Sequence, residues 1–240
     1  MRTELRRFRR NPLEPLLEQI GLSPRWKHYV TEAGRCAYAY EFYYLSLARF
    51  LPEMSVLLRW RLGPYFALKY REPYTPNHAK IARRYHEIAP FVEVDLANCV
   101  IHAQILLDRV APLSRRFLPN RGLLVRSFHT HRDFFQRLTQ PFGSHQEYAA
   151  YLRERTGWFD DLKEIRDKFL VHAGPEHYRF FGIPSSDAES ALVIRGRDKS
   201  GLAEWVTYFV SVPRLARDID GFLRWFNDYG LRALSGKSEK

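Results

Sequence analysis

Cysteine is nearly missing from this chain: Cys36 and Cys99 are the two copies in 240 residues. Both sit in apolar, helix-periodic stretches, which argues against a disulfide-stapled scaffold and reads as two buried free thiols in a reducing compartment. Long apolar runs are missing as well, and none approaches the roughly 18 residues that a bilayer span needs. Residues 1–10 hold five arginines, but no apolar segment follows them, because Asn11-Pro-Leu-Glu-Pro15 interrupts the chain. An export signal is therefore not expected, and the reading is cytoplasmic with no membrane partner. Lysine is scarce, 8 copies against 30 arginines. Internal repeats and low-complexity segments are not evident.

What is plentiful is arginine and aromatic surface. The formal net charge is +11, with 17 Phe and 14 Tyr, and 45% of residues are hydrophobic. That supplies a packed core and excludes a disordered chain. Arginine suits bidentate phosphate contact and stacking on bases, so RNA is the partner this balance fits. A GC-rich coding bias also enriches arginine with no polyanion partner, and composition does not separate the two.

Along the chain, residues 1–25 read as a basic arm punctuated by proline, with a short helix at Pro15–Ile20, and 26–240 as a single helical domain. Trp26–Leu51 is a long helix whose stripe is Ala33, Cys36/Ala37, Tyr40, Tyr43/Tyr44, Leu47 and Phe50/Leu51, ended or kinked by Pro52. Glu53–Arg71 is helical but interrupted at Gly63-Pro64. Thr75-Pro76 is an N-cap followed by proline at the first helical position and opens Asn77–Ile88. Phe91–Leu118 is the second long helix, with Val94, Ala97, Ile101 and Val110 facing inward and a kink at Pro112. On it Asn98 and His102, four apart, share a face and are candidate substrate contacts; a satisfied core histidine is the competing reading. Arg126-Ser-Phe-His129-Thr-His131 lacks further ligands at metal-site spacing, so no metal is assigned, and Thr130/Asp133 reads as a capping box between the histidines. Ser144/Glu147 is another box, and Thr156-Gly157 a break. Tyr178–Ile183, Ala191–Arg195 and Glu204–Val212 alternate as strands of a hairpin or three-stranded ribbon. Pro213–Leu234 closes the chain as a helix with Leu215, Ile219, Phe222/Leu223 and Phe226 inward. The fold class expected is mainly α, a helical bundle with a small antiparallel β-ribbon at about 178–212.

The most informative stretch is Trp158–Gly174. Trp158, Leu162, Ile165 and Phe169 make one apolar stripe, His172 falls at the next stripe position, and Gly174-Pro175 stops the helix. On a wheel of about 100° per residue, Arg166 lies roughly 80° to one side of Trp158 and His172 roughly 40° to the other, about 9 Å apart along the axis. Asp167 points to the far side, where it either orients the arginine or is solvated. Arg71/His78 and Arg126/His131 have related spacings, but only Arg166/His172 adds a polar residue after the arginine, a strong amphipathic helix, and a histidine closing it.

Arg166-Asp167-Lys-Phe-Leu-Val-His172 resembles the R-x(4–6)-H motif of HEPN domains, small up-and-down helical bundles of which many are metal-independent ribonucleases. The resemblance covers about residues 145–175. It implies His172 as the general base toward the 2′-hydroxyl, Arg166 as the cation on the phosphorane, Asp167 beside it, no cofactor and no metal, and a 2′,3′-cyclic phosphate product. Histidine suits the base by its pKa near 6.5, and arginine by its permanent charge. Lys168 and Arg126 join Asn98 and His102 as candidate RNA contacts. A homodimer is implied, and the 120° divergence of Arg166 and His172 also favours one chain's histidine meeting the other's arginine across a two-fold axis. An antitoxin protein is a further partner. The alternative is a non-catalytic module of this kind that binds RNA, nucleotide or protein.

Overall fold

In a computed structural model of the chain, residues 8–20, 31–118, 126–137, 146–167, 178–184, 190–197 and 205–236 are described. The architecture is mainly helical: α1 (Glu14–Gln19), α2 (Glu32–Trp60), α3 (Phe66–Tyr70), α4 (Pro76–Val110), α5 (Phe128–Arg137), α6 (Gln146–Arg155), α7 (Trp158–Ile165) and α8 (Val212–Ser235). Helix α2 does not stop at Pro52, which lies in its interior. A proline inside a helix removes one hydrogen bond and costs about 3 kcal/mol; burial of Leu51 and Met54 on either side offsets it. The irregularity appears later, as a wide π-type turn at Arg61–Tyr65 that contains Gly63-Pro64. Helix α3 then ends at Arg71 in the left-handed conformation (φ 56°, ψ 34°), and Glu72 N donates to Ala67 O at 2.9 Å to close the turn.

Pro90 is likewise absorbed, so that the two helices expected over 77–118 are one, α4, which bends by 45° between Pro76–Val92 and Val94–Arg116. Its buried face is Val92, Leu96, Cys99, Val100, Ala103, Leu106, Leu107 and Val110. This corrects the expected face: Val94 is 56% exposed, and Ala97 and Ile101 are half-buried. The helix carries two apolar stripes, and the one that is buried contains Asp95, neutralised by Arg49 Nη2 at 3.0 Å. Among the described residues no single helix is long and apolar enough to cross a membrane; α4 passes that test only as two segments joined at its bend.

The residues fall into two compact units. The first includes Leu45–Ile101 and Asp161–Arg217. Here the α2 and α4 segments are antiparallel, since rising α2 positions meet falling α4 ones: Arg49 pairs with Asp95, Trp60 stacks on Tyr85 at 3.9 Å, and Gly63 lies beside His78. Leu47, Phe50, Leu51, Met54 and Leu57 are buried on one helix and Ile88, Val92, Leu96 and Val100 on the other. The same unit holds three antiparallel strands in the order β1 (Tyr178–Pro184), β2 (Ser190–Arg197), β3 (Trp205–Val210), with Phe180 opposite Ile194 and Ile194 opposite Tyr208.

The second unit comprises Arg6–Tyr44, His102–Asp160 and Asp218–Lys240. Its centre is aromatic: Phe117, Phe128, Tyr148, Phe159, Phe222 and Phe226 are fully buried, and Tyr151 stacks on Trp225 at 3.7 Å. Residues 8–20 pack into this core. Leu13, Leu16 and Leu17 are buried, Leu16 N donates to Asn227 Oδ1 at 3.0 Å, and Tyr40 Oη donates to Phe8 O at 2.7 Å. Gly230 permits that approach, because a Cβ there would stand 2.9 Å from both Leu16 methyls.

The capping of α5 differs from expectation. Ser127, not the Thr130/Asp133 pair, starts the helix: Thr130 N donates to Ser127 Oγ and Ser127 N to Thr130 Oγ1, both at 3.2 Å. Three residues of separation with reciprocal bonds is a capping box one turn earlier. His129 and His131 consequently lie within the helix rather than beside its start.

Candidate functional site

Helix α7 begins after Thr156-Gly157 and ends at Ile165, with Arg166 and Asp167 in a π-type turn beyond it. Its buried stripe is Phe159, Leu162 and Ile165, while Trp158 is half-buried and donates Nε1–H to Arg155 O at 3.0 Å. Phe159 therefore takes the core place expected for Trp158. The wheel drawn at 100° per residue fails past Ile165, because a π turn advances less per residue. The consequence is seen at Asp167. Instead of facing away, its Oδ1 accepts from both Nε (2.8 Å) and Nη2 (2.6 Å) of Arg166. Of the two readings of Asp167, the geometry is that of a residue which orients the arginine. Both side chains are roughly 30% exposed, at 27% and 31%, so the guanidinium is braced yet reachable. His172 and Lys168 lie outside the described residues.

The remaining candidates are distributed. Asn98 is half-buried on α4 in the first unit, and Arg126 is exposed, one residue ahead of the α5 cap, in the second. His102 belongs to the second unit. Its ring is 5.5 Å from Phe42, and burial lowers its pKa from the usual value.

Other polar groups were not selected by sequence patterns. His131 is 1% exposed and its Nε2 is 2.8 Å from Tyr148 Oη. Ser114 Oγ donates to Ala111 O at 2.7 Å, and its hydroxyl opposes the rise that burial imposes on the Tyr148 pKa. The His131 Nδ1 has no hydrogen-bond partner among the described residues. Burial, with Arg115 nearby, pushes the imidazole pKa down to about 3; this histidine is a neutral core residue. Arg132 is also inside, its side chain 6% exposed, and forks onto Asp160 at 2.5 and 2.6 Å. In the first unit, desolvation and the neighbouring Asp95 carboxylate raise Glu53 to about 7, with Arg49 and Arg84 opposing. The nearby Cys99 thiol is raised by burial, then by Asp95 and Glu53, and burial lifts Cys36 to about 12. Neither buried thiol is a nucleophile at neutral pH. Among the described residues no group of three or more His, Cys, Asp or Glu is placed to hold a metal ion.

Among the described residues, the raised Glu53 carboxyl beside Asp95 is one arrangement with acid–base chemistry, and Arg166 braced by Asp167 is one with anion-binding chemistry. No protein-family model matches the chain, and comparisons with curated proteins and with solved structures return no match.

Proposed function

We propose that this chain is a metal-independent endoribonuclease of the toxin or phage-defence kind, a HEPN-like bundle carrying a C-terminal β-ribbon. His172 removes the 2′-hydroxyl proton, and Arg166 stabilises the phosphorane. The observation that carries the reading is Arg166: a guanidinium at the foot of an amphipathic helix, its Nε edge fixed by Asp167. Fixing that edge presets the plane of the fork before RNA arrives, which is how an electrostatic stabiliser avoids reorganisation during reaction. The +11 charge supplies the long-range attraction. The active form is a cytoplasmic homodimer whose two motifs share one cleft, with an antitoxin as its cellular partner.

The test is incubation of the purified chain with a single-stranded RNA in EDTA. Cleavage to 2′,3′-cyclic phosphate ends is expected, falling by at least about 100-fold in His172→Ala and in Arg166→Ala, and retained in Asp167→Asn, which keeps an acceptor on Nε. Unchanged cleavage in His172→Ala removes the reading. A second reading, a non-catalytic RNA-binding module, is favoured by cations seated on accessible tyrosines: Arg61 lies 4.4 Å from the Tyr65 ring and Lys69 5.1 Å from Tyr70. It predicts salt-dependent binding that survives His172→Ala, with no product at any pH.

A further inference from the structure

The second unit contains a concavity of about 270 Å³ away from the Arg166 motif, lined by Arg35, Tyr38, Ala39 and Phe42 of α2 and by His102, Ile105 and Arg109 of α4. Each set is spaced i, i+3 or i+4, i+7, so each is one helix face. The two faces run in opposite directions. Phe42 meets His102 at 5.5 Å, whereas Arg109 acts on Cys36, the neighbour of Arg35. Both arginines therefore stand at one end and the Phe42–His102 pair at the other, with Tyr38, Ala39 and Ile105 between them.

We infer that this concavity is a binding site for a small aryl carboxylate, its ring against Tyr38, Phe42 and Ile105 and its acid group on Arg109 and Arg35. The walls give the body of the ligand. Tyr38 and Phe42 are each 36% exposed and Ile105 41%, and large apolar groups converging on a hollow favour an apolar occupant. The Tyr38 and Phe42 rings, edge to face at 4.4 Å, offer a further ring a continuation of the same packing. A nucleotide fits less well, because its ribose hydroxyls would lie against Ala39 and Ile105 with nothing to bond. The volume is just under the roughly 300–1,000 Å³ usual for ligand sites, so one or two fused rings fill it. The arginines give the head. Arg109 is exposed and makes no hydrogen bond or ion pair among the described residues, and a planar carboxylate matches a guanidinium fork. At the opposite end His102, its pKa lowered by burial, is uncharged at neutral pH and does not compete for the acid. The ligand is thereby given one orientation.

This inference is independent of the nuclease reading, since it uses neither Arg166 nor His172. Indole-3-acetate is titrated into the full chain by calorimetry, with indole and 5′-AMP as the two comparison ligands. Sub-millimolar binding of indole-3-acetate is expected, weaker by about 10-fold or more for indole and for 5′-AMP. Arg35→Gln/Arg109→Gln should weaken it by a similar factor, and Ile105→Trp, which fills the hollow, should abolish it with both arginines intact. All three positions are exposed, and unchanged thermal melts verify that the variants fold. Absence of binding at 5 mM (roughly the weakest affinity of interest) overturns the assignment. So does equal affinity in the double arginine variant, or tighter binding of 5′-AMP. His172→Ala should bind like the unaltered chain.

Discussion

His131 offers the sharpest test of the interior. Its ring is 1% exposed and titrates near 3 in the fold because burial disfavours the imidazolium, against about 6.5 in the unfolded chain. Between those values the unfolded state binds a proton that the folded state refuses. Stability from this group is thus complete above about pH 6.5 and is lost progressively as pH falls toward 3. At about 1.4 kcal/mol per pH unit, lowering the pH from 7 to 5 removes roughly 2 kcal/mol. His131→Gln retains an N–H for Tyr148 but does not titrate. The variant is less stable than the unaltered chain at pH 7, and the difference should shrink by roughly 2 kcal/mol by pH 5. Urea unfolding followed by circular dichroism at pH 7, 6 and 5, at fixed ionic strength, measures the difference, and every other titrating group cancels in it. A gap that stays constant with pH would falsify the buried, neutral imidazole.

Arg132 and Asp160 are unequally buried, with side chains 6% and 64% exposed. Asp160→Asn strands a guanidinium inside and should cost about 2–3 kcal/mol, whereas Arg132→Met leaves a carboxylate in water and should cost about half of that; equal costs in chemical denaturation would refute the asymmetry. Glu53, raised to about 7 by desolvation and Asp95, has the opposite pH sign to His131. Its stabilisation is complete below its ordinary carboxylate range and is lost as pH rises through 7. Glu53→Gln imitates the protonated form, so unfolding at pH 5 and pH 8 should show the variant gaining on the unaltered chain at the higher pH, and a gap that does not move would rule out the raised carboxyl.

The parts of the fold legible in the sequence are those where one apolar stripe stands alone. The stripe expected for α2 holds at Ala33, Cys36, Tyr40, Tyr43, Leu47, Phe50 and Leu51, and the Thr75-Pro76 start of α4 appears as His78 N donating to Thr75 Oγ1 at 3.2 Å. On α8 the inward Ile219, Phe222, Leu223 and Phe226 are buried, with Ala216 replacing Leu215. Failures occur where a local rule competes with packing. Pro52 reads as an end or a kink, and the helices expected at Asn77–Ile88 and Phe91–Leu118 leave Pro90 between them, yet each proline has buried apolar residues on both sides whose burial sustains the helix. On α4 the charge of Asp95 made the wrong stripe look like the core, because an ion pair with a residue 46 positions away cannot be seen in a periodicity. Thr130 and Asp133, three apart, fit the cap pattern, while Ser127 fits it equally well with a threonine partner.

The place of Arg166 and Asp167 at the end of an amphipathic helix was legible in the sequence, but the angle between them was not. A helical wheel carries positions forward only while the rise and turn per residue stay constant, and that condition ends at Ile165. Past it, the wider turn swings Asp167 onto Arg166, which changes what the pair can do. A lone arginine would attract phosphate with its whole charge; one braced by a carboxylate attracts it less but presents a fixed fork. Such a group contributes little to holding RNA in the ground state and most where negative charge accumulates in the transition state. A loss in kcat with KM nearly unchanged in Arg166→Ala would mark a transition-state group, whereas a loss confined to KM would make Arg166 an ordinary phosphate contact.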